Sequence, residues 1–139
     1  MISADKGKYV NVDGLKTFYI KAGSGHPLVL IHGGSPGTCS LVNWKPNIEA
    51  LAAEGFTVYT FDQPGFGYSD NPKDYSLDYR VSHAREFINH LNLDHFHLMG
   101  NSMGAYIAAR IALEDRRVDR KSTRLNSSHS RASRMPSSA

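Results

Sequence analysis

His95–Leu113 reads HFHLMGNSMGAYIAARIAL, and the fold turns on this stretch. His95–Met99 is an apolar run that fits a buried strand, and Ala105–Leu113 is apolar almost all round, which fits a buried helix. Between them, Gly100-Asn101-Ser102-Met103-Gly104 is a tight turn of the form G-x-S-x-G. A strand-to-helix corner this short forces Ser102 into a strained backbone conformation. It also crowds the flanking positions, which must then be glycine or similarly small. The Ser102 hydroxyl would stand above the sheet at a helix N-terminus. There, backbone N–H groups and the helix dipole favour developing negative charge. Ser102 is therefore the candidate nucleophile.

Working outward, the preceding chain alternates strands with helices. Lys8–Val12 and Thr17–Lys21 flank Asp13-Gly14, a hairpin signal. After the Gly/Ser turn Ala22–Pro27, the run Leu28–Ile31 has no alternation, as in a strand covered on both faces. Trp44–Glu54 has helical spacing through Trp44, Ile48, Leu51 and Ala52, and Gly55 ends it. Thr57–Phe61 reads as a second buried strand and Leu77–Leu91 as a second helix. An opening hairpin followed by this alternation predicts an α/β fold: a mainly parallel sheet with helices on both faces.

Two glycine-rich loops follow the first two parallel strands. His32–Gly37, HGGSPG, lies where a second oxyanion donor is expected beside a serine nucleophile, because glycine lets backbone approach an anion closely. It is not a phosphate loop, since it lacks both a Gly-Lys-Ser/Thr ending and G-x-G-x-x-G. Asp62–Asp70, DQPGFGYSD, reads as a shaped turn packed beside the site, with no chemistry of its own.

Together, Leu28–Gly37, Phe61–Asp70 and His97–Gly104 resemble the α/β-hydrolase superfamily. The finer resemblance is to the meta-cleavage product hydrolases, which cleave a carbon–carbon bond of 2-hydroxy-6-oxo-dienoate ring-fission products in aromatic compound degradation. It rests on HGGSPG, on Asn43 within Ser40–Trp44, and on Asn101 before the serine. The resemblance implies Ser102 as nucleophile and the N–H groups of Gly34 and Met103 as the oxyanion hole. It implies Ser35, Asn43 and Asn101 as contacts to the polar dienoate end of a small-molecule substrate. It implies no cofactor and no metal, and a possible homo-oligomer for the complete parent. A carboxylesterase, or another serine hydrolase of this fold, remains a second reading, because fold alone does not set substrate. A non-catalytic binding protein on the same scaffold is a third.

In this fold the triad acid and histidine follow the serine in the chain. After Ser102 the acids are Glu114, Asp115 and Asp119, on or just past the elbow helix, and the only histidine is His129. The chain is thus expected to be an N-terminal fragment without triad or lid, inactive by itself. The earlier histidines, His83, His90, His95 and His97, lack the convergence that metal ligation needs and read as surface or edge residues. Asp78 and Glu86 read as solvated helix charges, and Trp44 and the tyrosines as packing.

Composition separates the chain into two parts. Met1–Val118 holds 11 Lys+Arg against 12 Asp+Glu, whereas Asp119–Ala139 holds five bases and one acid. The formal charge of +3 therefore belongs to the tail, which has no aromatic residue for stacking on bases, so no nucleic-acid partner is expected. No apolar run reaches membrane-spanning length, and Met1–Val10 carries no apolar signal segment. A lone Cys39 suits a reducing, cytoplasmic setting. Asp119–His129, DRKSTRLNSSH, resembles the translation of a common sequencing-library adapter, and Ser133–Ala139, SRMPSSA, matches its continuation. The expected division is a truncated core at residues 1–118 and a non-native, disordered tail at residues 119–139. A natural Ser/Arg-rich tail is the alternative.

Overall fold

In the computed structural model, residues 2–119 are described, together with the backbone of Arg124–Asn126. The strands are β1 (Lys8–Val12), β2 (Leu15–Gly23), β3 (His26–Ile31), β4 (Phe56–Phe61), β5 (His97–Asn101) and β6 (Arg124–Asn126). The helices are α1 (Ser40–Ala53), α2 (Leu77–His90) and α3 (Met103–Glu114), and a single 3-10 turn precedes β1. The strands form one sheet in the order β1-β2-β4-β3-β5-β6. β1, β2 and β4 pair antiparallel; β4, β3, β5 and β6 run parallel. The α/β class and the opening hairpin are as the sequence predicts. Asp13 (φ 50°) and Gly14 (φ 87°) both take the left-handed conformation that a two-residue hairpin turn requires.

The run Leu28–Ile31 explains the three layers. Alternate side chains of a strand point to opposite faces. Val29 and Ile31 join the larger core with Phe61, Phe87, Leu98, Ile107 and Ile111, under α2 and α3. Leu28 and Leu30 join the other core with Val58, Trp44 and Ile48, under α1. Burying each such side chain is worth about 1.5–3 kcal/mol. The central strand is therefore held from both sides, and the loop that leaves it at His32 starts from a fixed point.

Three features differ from expectation. α1 begins at Ser40 rather than Trp44, because its first turn is capped from a distant segment. The Asp62 carboxylate accepts from both the N–H (2.8 Å) and the hydroxyl (2.7 Å) of Ser40. Pro46 consequently lies inside the helix instead of in its first turn. β5 starts two residues late, at His97, because Phe96 bonds instead to the returning chain: its N–H donates to Arg117 O (2.8 Å), and Asp119 N–H donates to Phe96 O (2.9 Å). Finally, the edge of β5 is not bare. Met99–Asn101 pair in parallel with Arg124–Asn126, within the segment expected to lack structure. An outer strand presents unpaired N–H and C=O groups that an extended segment can satisfy. The rest of the expected tail, residues 120–123 and 127–139, lies outside the described residues.

His83 also departs from expectation. It is 2% exposed on the inner face of α2, not at the surface. Its Nε2 lies 2.9 Å from the Thr17 hydroxyl, which itself donates to Leu15 O (3.1 Å). With that proton committed, the hydroxyl accepts from Nε2–H, and the buried Nδ1 is left without a partner. Burial, helped by the charge of Arg80, pushes the His83 pKa down to about 4.

Candidate active site

The corner at Ser102 has the strain that its sequence demands. Ser102 sits at φ 57°, ψ −117°, between the last residue of β5 and the first of α3. Its carbonyl starts the helix, accepting from the N–H of Ala105 at 2.8 Å. Its side chain makes no capping bond, so the hydroxyl is not tied to the helix end. A Cβ on Gly100 would lie 2.2 Å from the Gly104 oxygen, and one on Gly104 would lie 2.1 Å from the Ile31 oxygen. Both glycines of G-x-S-x-G are therefore steric requirements, and the second lets α3 press against the end of β3.

The loop after β3 meets this corner. His32 is fully buried and makes three links. The N–H of Gln63 donates to its Nε2 (3.0 Å), and the Gln63 side-chain amide donates to its carbonyl (2.7 Å). A backbone N–H can only donate, so Nε2 is the bare nitrogen; Nδ1 carries the proton and donates to Gly33 O at 2.6 Å. Burial drives the His32 pKa down to about 4, which keeps this neutral tautomer in place. Asp62 ties the next layer, accepting from Ser40 through Oδ1 and from Tyr68 N–H through Oδ2 (2.9 Å). The turn at Asp62–Asp70 is thus the frame of the loop beside it.

Asn43, in the first turn of α1, joins the parts. Its Oδ1 accepts from Gly33 N–H at 2.8 Å and from the Asn101 side-chain amide at 3.0 Å. Gly33, Ser35, Thr38, Val42, Asn43, Asn101 and Ser102 line a cavity of about 350 Å³. Four of the expected site residues, Ser35, Asn43, Asn101 and Ser102, therefore share one space. The other two, Gly34 and Met103, face each other beside it. A Cβ on Gly34 would meet the Met103 sulfur at 3.1 Å, so the bare glycine is what lets that side chain lie across the loop. The cavity lining holds hydroxyls and carboxamides and no charged side chain. Sequence reasoning did not single out His32, Asp62 or Gln63 as supports of the site, because their partners lie 22 to 31 residues away in the chain.

Comparison with known proteins agrees with this fold. The sequence pattern of the alpha/beta hydrolase fold family matches residues 26–130. The 2-hydroxy-6-oxo-6-(2'-aminophenyl)hexa-2,4-dienoic acid hydrolase of Metapseudomonas resinovorans is 39% identical over 104 residues, which is 73% of this chain and 36% of that protein. The 2-hydroxymuconate semialdehyde hydrolase of Pseudomonas sp. (strain CF600) is 35% identical over 113 residues, 80% of this chain and 40% of that protein. Among solved structures, the meta-cleavage product hydrolase CumD of Pseudomonas fluorescens IP01 superimposes with a TM-score of 0.76 at 34% identity, over 84% of this chain and 44% of that one. The chain spans about two-fifths of the length of the curated relatives it matches. The related proteins are hydrolases, and among the described residues no helix is long and apolar enough to cross a membrane. With a strained serine between two obligatory glycines and a family match over most of its length, the chain belongs to the alpha/beta hydrolase fold family.

Proposed function

We propose that this chain is the nucleophile-bearing part of a serine hydrolase that cleaves a carbon–carbon bond of 2-hydroxy-6-oxo-dienoates. The carrying observation is Ser102 at φ 57°, ψ −117°, opening with Ser35, Asn43 and Asn101 onto one cavity. Ser102 is the nucleophile. The N–H groups of Gly34 and Met103 receive the oxyanion, each such donor being worth about 3–4 kcal/mol in the transition state. Gly33 N–H is already bonded to Asn43, which leaves Gly34 as the next amide of the loop. The lining offers uncharged hydrogen-bonding groups, which suit the carboxylate and enol oxygens of a dienoate.

In this reading the dienol first becomes the ketone, its hydroxyl proton leaving as a proton is taken up on carbon. Hydrolysis at the distant carbonyl then breaks the C–C bond, giving a carboxylic acid and, after protonation, the shorter enol acid. Val42 stands 67% exposed on the cavity wall, an apolar side chain that gains from being covered by a lid. In this reading neither the acids on or just past α3 nor His129 serves as a triad partner, so the 139-residue chain has the nucleophile corner without triad-level turnover. The lone Cys39 suits a reducing compartment.

The test is to express the complete gene and follow loss of the visible absorbance of ring-fission dienoates. Rapid bleaching that vanishes in S102A supports the assignment. Good turnover of simple esters with none of the dienoates moves it to a carboxylesterase.

A further inference from the structure

We propose that Asn43 is a positioning residue that sets the oxyanion loop against the nucleophile corner through one oxygen atom; the catalytic meaning of this clamp rests on the hydrolase reading above. The orientation of its carboxamide follows from its partners. Gly33 N–H can only donate, so the Asn43 atom 2.8 Å away is the oxygen. That same oxygen lies 3.0 Å from Asn101, whose facing atom must then be its NH2 nitrogen. One acceptor thereby joins three segments: the first turn of α1, the loop leaving β3 ten residues before it, and the last residue of β5 before Ser102, 58 residues after it.

The geometry makes this clamp decisive for the loop. A Cβ placed on Gly33 would lie 3.2 Å from the Asn101 backbone oxygen and 3.4 Å from the Ser102 Cβ, so the loop passes the corner with little room for a side chain at this position. Proximity alone leaves the two peptide planes on either side of Gly33 free to turn. The Gly33 N–H bond to Asn43 fixes the His32–Gly33 plane, and the Gly33–Gly34 plane is held through the Gly33 carbonyl by His32 Nδ1–H. The Gly34 N–H lies in the second of these planes, so the His32 anchor sets its direction, while the Asn43 anchor steadies the plane before it across the shared Gly33 Cα. Asn43 is itself held by its place in α1, where its N–H donates to Cys39 O (3.0 Å).

The role calls for an acceptor and not for an amide. In Asn43→Asp the carboxylate would still accept from both donors, whereas in Asn43→Ala the methyl would accept from neither. Backbone hydrogen exchange in the 139-residue chain reads this directly. Gly33 N–H is expected to be protected in the unsubstituted chain, to exchange at least about tenfold faster in N43A, and to regain protection in N43D. A Gly33 amide that exchanges freely in the unsubstituted chain, is unaffected in N43A, or stays unprotected in N43D overturns the clamp. In the complete hydrolase, N43A is expected to slow fluorophosphonate capture of Ser102 at least about tenfold. Capture at the unsubstituted rate, with Gly33 deprotected, overturns the positioning role. A complete enzyme whose serine never reacts refutes the hydrolase reading instead and leaves the exchange result standing.

Discussion

Ser102 holds its position at the cost of backbone strain. A non-glycine residue in its region of φ/ψ space costs about 1–3 kcal/mol. S102G should therefore raise the stability of the chain by about 1 kcal/mol, read as an increased urea midpoint, while removing the hydroxyl. An unchanged or lower midpoint would mean that the corner is relaxed. The glycines next to it behave oppositely. G104A drives a methyl into the Ile31 carbonyl, with 2.1 Å available, and should cost several kcal/mol or prevent folding. These requirements are legible in the sequence, since G-x-S-x-G between an apolar strand and an apolar helix states them locally. The burial of His83 is not legible. Its seven-residue separation from His90 gives no sign that Thr17, 66 residues away, sits beside it.

At the level of elements, what local sequence encodes is readable and what distant groups supply is not. The hairpin, the buried strand Leu28–Ile31 and the body of α2 each carry their own pattern; Ser76 even caps α2 on Tyr79 N–H (3.1 Å) as local chemistry directs. The start of α1 escapes sequence reading because no residue near Ser40 announces it. Its cap is Asp62, just past the end of β4. D62A should remove the cap of α1 and the anchor of Tyr68 together, costing about 1–3 kcal/mol. Amide exchange at Ser40 and Tyr68 should rise together in that variant. A rise at only one of them would show that the carboxylate does not link the two segments. The onset of β5 escapes for the same kind of reason: Phe96 is taken by Arg117 and Asp119, whose return no periodicity forecasts.

For the whole molecule, the two buried histidines set the acid limb of stability. His32 and His83 have folded-state pKa values pushed down to about 4, whereas a histidine in the unfolded chain titrates at about 6.5. Between those values the unfolded state binds more protons, so stability is complete above about pH 6.5 and declines as pH falls toward 4. Each histidine contributes at most about 1.4 kcal/mol per pH unit in that window. Urea midpoints measured from about pH 7 to about pH 4.5 should fall steeply, and H83Q should flatten the slope. A slope that H83Q leaves unchanged would place the acid sensitivity elsewhere. The three-layer arrangement and the place of the serine within it are readable from alternation of strand and helix patterns. The edge of the sheet beyond β5 is not, because backbone pairing there carries no side-chain signature.

The reliance of α1 on Asp62 has a consequence for how the polypeptide matures. During synthesis the segment Ser40–Ala53 leaves the ribosome before the carboxylate that anchors it, and before the strand that leads to that carboxylate. Its first turn gains the Asp62 cap only once β4 docks alongside β3. Completion of its first turn then reports the moment when distant parts of the newborn chain have found each other.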